Sequence, residues 1–548
     1  MIPAHLRRRS MGVASRVWAP VLVPVSLFAT LAQAADPLTA GAISDTLKRA
    51  PELQAPEPLS SPVPPPRAEA PPGSEGKTLT VQRFQFSGNT LFSDAQLAAL
   101  VADYLGKPVS LIQLYEAADR ITSHYVEAGY TLASAQLPAQ KISDGVVQLE
   151  ILEGRVGKVV YEGLKGYRPA DLDVYLAGTA GQVYRGASFE DGLRDIDALP
   201  GLDARAVLRP GESYGSTDIV VQGKETPYQG SFFIDNSGRD TAGETRFGVQ
   251  VDLNNPLRIG DQLSLLGLRS SNDLLEYGLI GYSLPTGWQG SRLKFSYGYA
   301  KFELGGGFQG VAGSNRNGRV ELEVPVLRAG ADQLSLSAAI SDTKADTDFS
   351  GVPLRATELT LLELGGVYTH LYRGGAVSQL VASLGSNFQK ADANDRNSQR
   401  IRLELDGQHI QPIAKQIQLV AHGLFVYSPD PLPDTQQLSI GGPTTIRGHA
   451  PSEARGDWGY LGSLTLRRPF ALGKLVLTPR VFVDAGRVRS RDPSGSTPEP
   501  TLASVGVGAD AVMDRVSLKL DYATPRDDTP VGDGKDSGRV YGTLAVQF

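Results

Sequence analysis

Beyond Pro227 the chain alternates between apolar and polar residues with a period of two. Phe247, Val249, Val251 and Leu253 interleave with Arg246, Gln250 and Asp252, and Leu293, Phe295, Tyr297 and Tyr299 interleave with Arg292, Lys294, Ser296 and Gly298. The rhythm recurs at Leu334, Leu336, Ala338 and Ile340, and again at Leu518, Leu520 and Tyr522. Successive side chains of a strand point to opposite faces, so each run predicts a strand with one apolar and one polar side. Asn254-Asn255-Pro256, Ser270-Ser271-Asn272-Asp273 and Pro285-Thr286-Gly287 supply turns between the runs. Strands of about ten residues, sustained over roughly 320 residues, predict a membrane β-barrel of about 16 antiparallel strands with its apolar face outward. A soluble β-sandwich or propeller would alternate too. The charge carried by the polar faces favours a barrel with a wet interior.

Before Pro227 the pattern is different. From Leu79 to Gly154 the order is β-α-α-β-β. Ser93-x-x-Gln96 and Ser110-x-x-Gln113 are capping boxes, each opening a helix. In the second helix Leu111, Leu114, Ala118, Ile121 and Tyr125 step by three and four and predict one buried stripe. Gly129 ends it, and strands are expected at Thr131–Leu137 and Val146–Leu152. Residues 155–224 repeat the element order, with a strand at Lys158–Tyr161, helices near Pro169–Ala177 and Ser188–Leu199, and strands at Ala204–Arg209 and Thr217–Gln222.

The N-terminus carries Arg7, Arg8, Arg9 and Arg16, then an apolar stretch from Val17 to Leu31 ending in Ala32-Gln33-Ala34. This reads as a secretory signal peptide cleaved after Ala34 rather than an anchor, since Pro20 and Pro24 interrupt a run too short to span comfortably. Residues 35–50 predict a short helix. Nine of the 22 residues from Pro51 to Pro72 are proline, which makes an extended, semi-rigid tether.

Composition narrows the function classes. The 548 residues carry 53 Lys and Arg against 59 Asp and Glu, a net charge of −6, which argues against nucleic acid as a partner. There is no Cys, which excludes thiolate catalysis and Cys-ligated zinc. Gly211-Glu212-Ser213-Tyr214-Gly215 matches a hydrolase elbow but sits between two strands, and Gly305 to Gly310 fits G-x-G-x-x-G with no helix after it. Asp346-x-Asp348-x-Ser350-Gly351 begins like a calcium loop, yet Thr357 stands where its last ligand belongs. The His residues show no ligand spacing. The reading therefore holds no catalytic residue, cofactor or metal, and no enzyme activity.

Two motifs inside the barrel region go further. Ile440-Gly441-Gly442-Pro443-Thr444-Thr445-Ile446-Arg447-Gly448-His449 resembles the long lumenal loop of the TpsB transporters of two-partner secretion, tipped by V/I-R-G-Y/F. Phe482-Val483-Asp484-Ala485-Gly486 resembles the F-x-D-x-G wall strand of the same family, which secretes haemolysins and filamentous haemagglutinins and lies within the outer-membrane insertase superfamily. The alternation points Phe482 and Asp484 inward. Phe548 ends the last strand on the same face as Val546, Leu544 and Val540, and resembles the C-terminal outer-membrane assembly signal.

The resemblance covers nearly the whole mature chain. It implies a signal peptide at 1–34, a plug helix and linker at 35–77, two periplasmic β-α-α-β-β (POTRA) domains at 78–154 and 155–224, and a barrel at 225–548. It implies an outer-membrane pore that takes an unfolded exoprotein of the TpsA type from the periplasm to the cell surface. The other implied partners are outer-membrane lipid and, during biogenesis, the barrel-assembly machinery. Ile446, Arg447 and Gly448 would form the loop tip, with Arg447 paired to Asp484 on the wall beside Phe482 and Gly486. One departure stands out: His449 replaces the family's Tyr or Phe. It either serves as a flat ring, or gains a charge near pH 6.5 that Arg447 would repel, weakening loop docking. An outer-membrane insertase would share the fold but usually has more periplasmic units and no tethered helix. A small-solute porin would need no periplasmic units.

Overall fold

A computed structural model describes residues 78–387, 400–491, 499–527 and 538–548, apart from positions 177, 289 and 415. The expected signal peptide, helix and proline-rich tether lie outside the described residues.

The first unit begins with β1 (Thr78–Thr80) and β2 (Arg83–Ser87), followed by α1 (Asp94–Leu100), β3 (Pro108–Ser110), α2 (Leu111–Glu127), β4 (Ser134–Gln136) and β5 (Val146–Leu152). Both capping boxes form: the Ser93 and Ser110 hydroxyls accept from the N–H of Gln96 and Gln113, whose side chains return to the cap N–H. The sheet order is β2-β5-β4, with β2 parallel to β5. Leu114, Ile121 and Tyr125 of α2 are buried against Phe84, Phe86, Val147 and Leu149 of that sheet. β4 is shorter than expected because the α2 C-terminus consumes its first residues. The Tyr130 N–H bonds Tyr125 O across Gly129 at φ +94°, and the Ala133 N–H bonds Tyr130 O.

The second unit consists of β6 (Arg155–Glu162), α3 (Pro169–Asp173), α4 (Gly186–Asp197), β7 (Leu202–Pro210) and β8 (Ser216–Glu225). Its sheet order is β6-β8-β7, again with a parallel first pair. The Gly211–Gly215 stretch is the turn between β7 and β8.

From Tyr228 the chain forms a closed antiparallel barrel. It has sixteen wall strands, since Trp458–Arg467 and Phe470–Leu472 are two pieces of one, both paired with Leu475–Arg489. The first wall strand, Tyr228–Asp235, closes on the last, Arg539–Gln547, with Thr543 opposite Asp235 and Gln547 opposite Ser231. The chain enters the wall directly from the second unit, so odd-numbered strands run away from the units and even-numbered strands return. On the long strand Asp332–Phe349 the outward positions from Leu334 to Ile340 are apolar and then become Asp342, Lys344, Asp346 and Asp348. That change marks where the lipid-facing band ends and a charged projection beyond it begins.

Candidate functional site in the barrel lumen

Residues 428–457 connect wall strands Ile417–Tyr427 and Trp458–Arg467 at the end of the barrel far from the two N-terminal units. The connection folds back into the lumen on a short stem, Leu438–Ile440 paired with Ala454–Gly456. Ile446 gives the loop an apolar foot, fully buried among Val426, Leu438, Leu461, Val488 and Leu502. Gly486 makes room for it: a Cβ there would lie 2.8 Å from Ile446 Cδ1 and from Tyr460 O.

Arg447 extends from this foot to the wall. Its Nε donates to Asp484 Oδ2 at 2.8 Å and its Nη2 to Oδ1 at 2.7 Å, a fork-to-carboxylate pair. The Arg447 backbone N–H adds a third bond to Oδ2 at 3.1 Å, so main chain and side chain are oriented together. Ser463, opposite Asp484 on the neighbouring strand, accepts from Arg447 Nη2 at 3.1 Å and donates to Asp484 Oδ1 at 2.7 Å. The guanidinium carbon lies 3.3 Å from the Phe482 ring centroid, stacked on its face. The Asp484 side chain is wholly inaccessible and that of Arg447 is 12% exposed. An ion pair this buried holds firmly because either partner alone would be a charge stranded in the wall.

Gly448 follows in the left-handed region at φ +92°, where its backbone lies against Ala523 and Thr524 of wall strand Val516–Pro525. A side chain there would be strained by that φ and would crowd the wall. His449 is fully buried; its Nε2 lies 3.2 Å from Ala503 O and its own carbonyl accepts the Tyr541 hydroxyl at 2.6 Å. The expected repulsion of a charged His449 by Arg447 does not fit this geometry. Arg447 is committed to Asp484, and the carboxylate of Asp527 lies 3.1 Å from His449 Nε2.

Ile446 and Arg447 thus meet Phe482, Asp484 and Gly486, while Gly448 and His449 dock on neighbouring strands at Ala523, Ala503 and Tyr541. Phe548 lies apart, at the seam. Its backbone exchanges hydrogen bonds with Gly230 at 3.0 and 3.3 Å, and its ring meets Phe232 with centroids 5.1 Å apart. Ser463 and Asp527 were missed by the sequence reading. The first is visible only through strand register, and the second sits in a turn with no motif around it. Elsewhere the lumen wall is lined with paired charges: Arg319 with Glu321 and Glu363, Lys294 with Glu323, and Arg480 with Asp510 and Asp521. Among the described residues no group of His, Asp and Glu is placed to hold a metal.

Comparison with known proteins places this architecture. The family described as haemolysin secretion/activation protein ShlB/FhaC/HecB matches residues 215–511, and the ShlB-type POTRA domain matches residues 79–154. The chain belongs to the haemolysin secretion/activation family. Among family relatives, the haemolysin transporter protein ShlB of Serratia marcescens is 27% identical over 515 residues, covering 85% of this chain and 87% of that protein. The outer membrane transporter CdiB of Escherichia coli O6:K15:H31 is 25% identical over 417 residues, covering 72% and 70%. A solved structure of CdiB from Escherichia coli shares the fold, with a TM-score of 0.71 at 23% identity over 92% of this chain and 95% of that one. The protein is an outer-membrane transporter of two-partner secretion, with its N-terminal POTRA region in the periplasm.

Proposed function

We propose that the chain receives one unfolded exoprotein in the periplasm and passes it through the barrel to the cell surface, using the lumenal loop as the element that holds the pore in its resting state. Residues 78–154 and 155–224 act as two POTRA domains that present sheet edges or grooves to the extended client. Residues 225–548 are the pore. Its charged lining keeps the passage hydrated, and folding of the client outside biases the direction, because a folded domain cannot re-enter.

The observation that carries this reading is the clasp of Arg447 on Asp484 and Ser463. It holds a folded-in segment across the lumen by side-chain bonds that can be broken without unfolding the wall. Phe548 completes the last wall strand at the seam and is the residue we assign to recognition by the assembly machinery.

The test is secretion of a TpsA-type exoprotein by cells carrying this transporter. Removing the transporter should leave that exoprotein in the cell while other outer-membrane barrels keep their normal levels. Loss of those barrels as well would turn the reading toward an insertase, and undiminished secretion would end it.

A further inference from the structure

We propose that His449 is a positioning residue that ties the tip of the lumenal loop to the cell-surface mouth of the barrel through Asp527 and Ala503. The proposal rests on the reading that the docked loop governs the pore.

The geometry is a three-cornered knot. His449 Nε2 faces Ala503 O at 3.2 Å and Asp527 Oδ2 at 3.1 Å. Asp527 Oδ2 also accepts the Ala503 N–H at 2.6 Å, and Ala503 O also accepts the Arg526 N–H at 2.8 Å. Both polar groups of one peptide residue are therefore engaged, and three segments meet there. Ala503 is the third residue of the wall strand Thr501–Met513, Asp527 follows the wall strand Val516–Pro525, and His449 belongs to the loop. By strand direction, both wall contacts lie at the end of the barrel away from the periplasmic units.

The chemistry fixes which nitrogen carries the proton. A carbonyl oxygen and an ionised carboxylate only accept, so Nε2 is the donor. Nδ1 is buried and has no hydrogen-bond partner among the described residues. In the neutral Nε2–H form it presents a lone pair, so no buried donor is stranded. A phenyl ring at this position has no donor to make either bond. This chain thus adds a second side-chain grip on the wall to that of Arg447. Arg447 grips wall strand Leu475–Arg489, and His449 grips Thr501–Met513 and Asp527, just past Val516–Pro525. The tip cannot withdraw without releasing both.

The protein has no Cys, so one introduced at Thr444, a half-buried tip position, reports loop release through its labelling rate with a membrane-impermeant maleimide. The full chain in lipid vesicles is labelled in the parent and in the His449→Phe, His449→Gln, Asp527→Ala and His449→Phe/Asp527→Ala backgrounds. His449→Phe keeps the ring and removes the donor; Asp527→Ala removes the charged acceptor without touching the loop. Each should raise the labelling rate about tenfold or more, as loss of a charge-assisted hydrogen bond implies. The double variant should label no faster than the faster single, and His449→Gln, which keeps a donor, should recover most of the parent's protection. Parent-like labelling in His449→Phe or in Asp527→Ala overturns the proposal, as do multiplicative rates in the double variant. Arg447→Ala in the same background separates the two readings. Fast labelling there with slow labelling in His449→Phe sinks the knot and leaves the lumenal clasp standing. Fast labelling in both with unaltered secretion keeps the knot and sinks the idea that the loop governs export.

Discussion

The first periplasmic unit and the barrel follow opposite rules with the same alphabet. In the first unit the interior is apolar: Leu114, Ile121, Val147 and Leu149 are wholly inaccessible. Glu153 is the one charged residue buried among the described residues of the two units. In the barrel the buried side chains include Arg319, Lys294, Arg402, Arg480, Asp484 and Asp521, while Val481, Val483, Leu464 and Leu544 face outward and are exposed. The unit is held together by removing apolar surface from water. The barrel is held by its closed hydrogen-bonded wall and by lipid around it, and its interior combines paired charges with small apolar clusters such as the one around Ile446. The difference explains why a moving part can sit inside the barrel. Polar clasps can open into a hydrated lumen, whereas an apolar core cannot open without unfolding.

That contrast can be broken by single substitutions. Ile121→Ala removes the centre of the first unit's core and should cost it about 2–5 kcal/mol. Limited proteolysis of the full chain should show residues 78–154 becoming sensitive while the barrel stays protected. The comparable truncation on the lipid face, Val483→Ala, should cost well under that, because lipid replaces what the methyl groups touched. Reversing polarity there gives the next effect. Val483→Arg places a charge in the lipid band and should destabilise the barrel by about 2–4 kcal/mol in urea titrations from vesicles. An equally stable variant would mean that this face does not meet hydrocarbon.

The smallest effect concerns the exception in the first unit. Glu153 accepts from the Thr90 and Leu91 N–H at 2.6 and 2.9 Å and from the Tyr125 hydroxyl at 3.1 Å. Burial alone would raise its carboxyl, but the bonds from Thr90, Leu91 and Tyr125 outweigh it and hold the group below the ordinary glutamate value. A carboxyl depressed in the folded state stabilises the unit fully above its unfolded value of about 4.3, and the contribution fades as pH falls through the lower folded value. Glu153→Gln should cost about 1–3 kcal/mol at neutral pH and flatten the acid limb of the first unit's unfolding. An unchanged acid limb would show that another group carries it.

How much of this was legible in the sequence depended on how local the physics is. The two capping boxes and the α2 stripe involve residues a few positions apart, so Ser93, Ser110 and Ile121 could be placed from the text alone. Period-two alternation placed Val483 outside and Asp484 inside. Pairing Arg447 with Asp484, 37 residues apart, needed the resemblance, because nothing in spacing joins a loop to a wall strand. Ser463 and Asp527 were invisible for the same reason. Each reaches the site through strand register or a turn, and a lone Ser or Asp carries no signal of its partner. The β1–β3 pair was also missed, since three-residue strands such as Pro108–Ser110 are too short to show a period.

The central claim is that Arg447 and Asp484 act as one clasp on the loop that governs export, and a double-mutant cycle on exoprotein secretion tests it most directly. Arg447→Ala and Asp484→Ala should each sharply reduce or abolish secretion while the barrel still assembles, since each leaves its partner a buried, unpaired charge. The double variant should secrete little worse than either single, because the contact is lost only once. Independent losses that multiply in the double variant, or normal secretion in either single, would contradict the account.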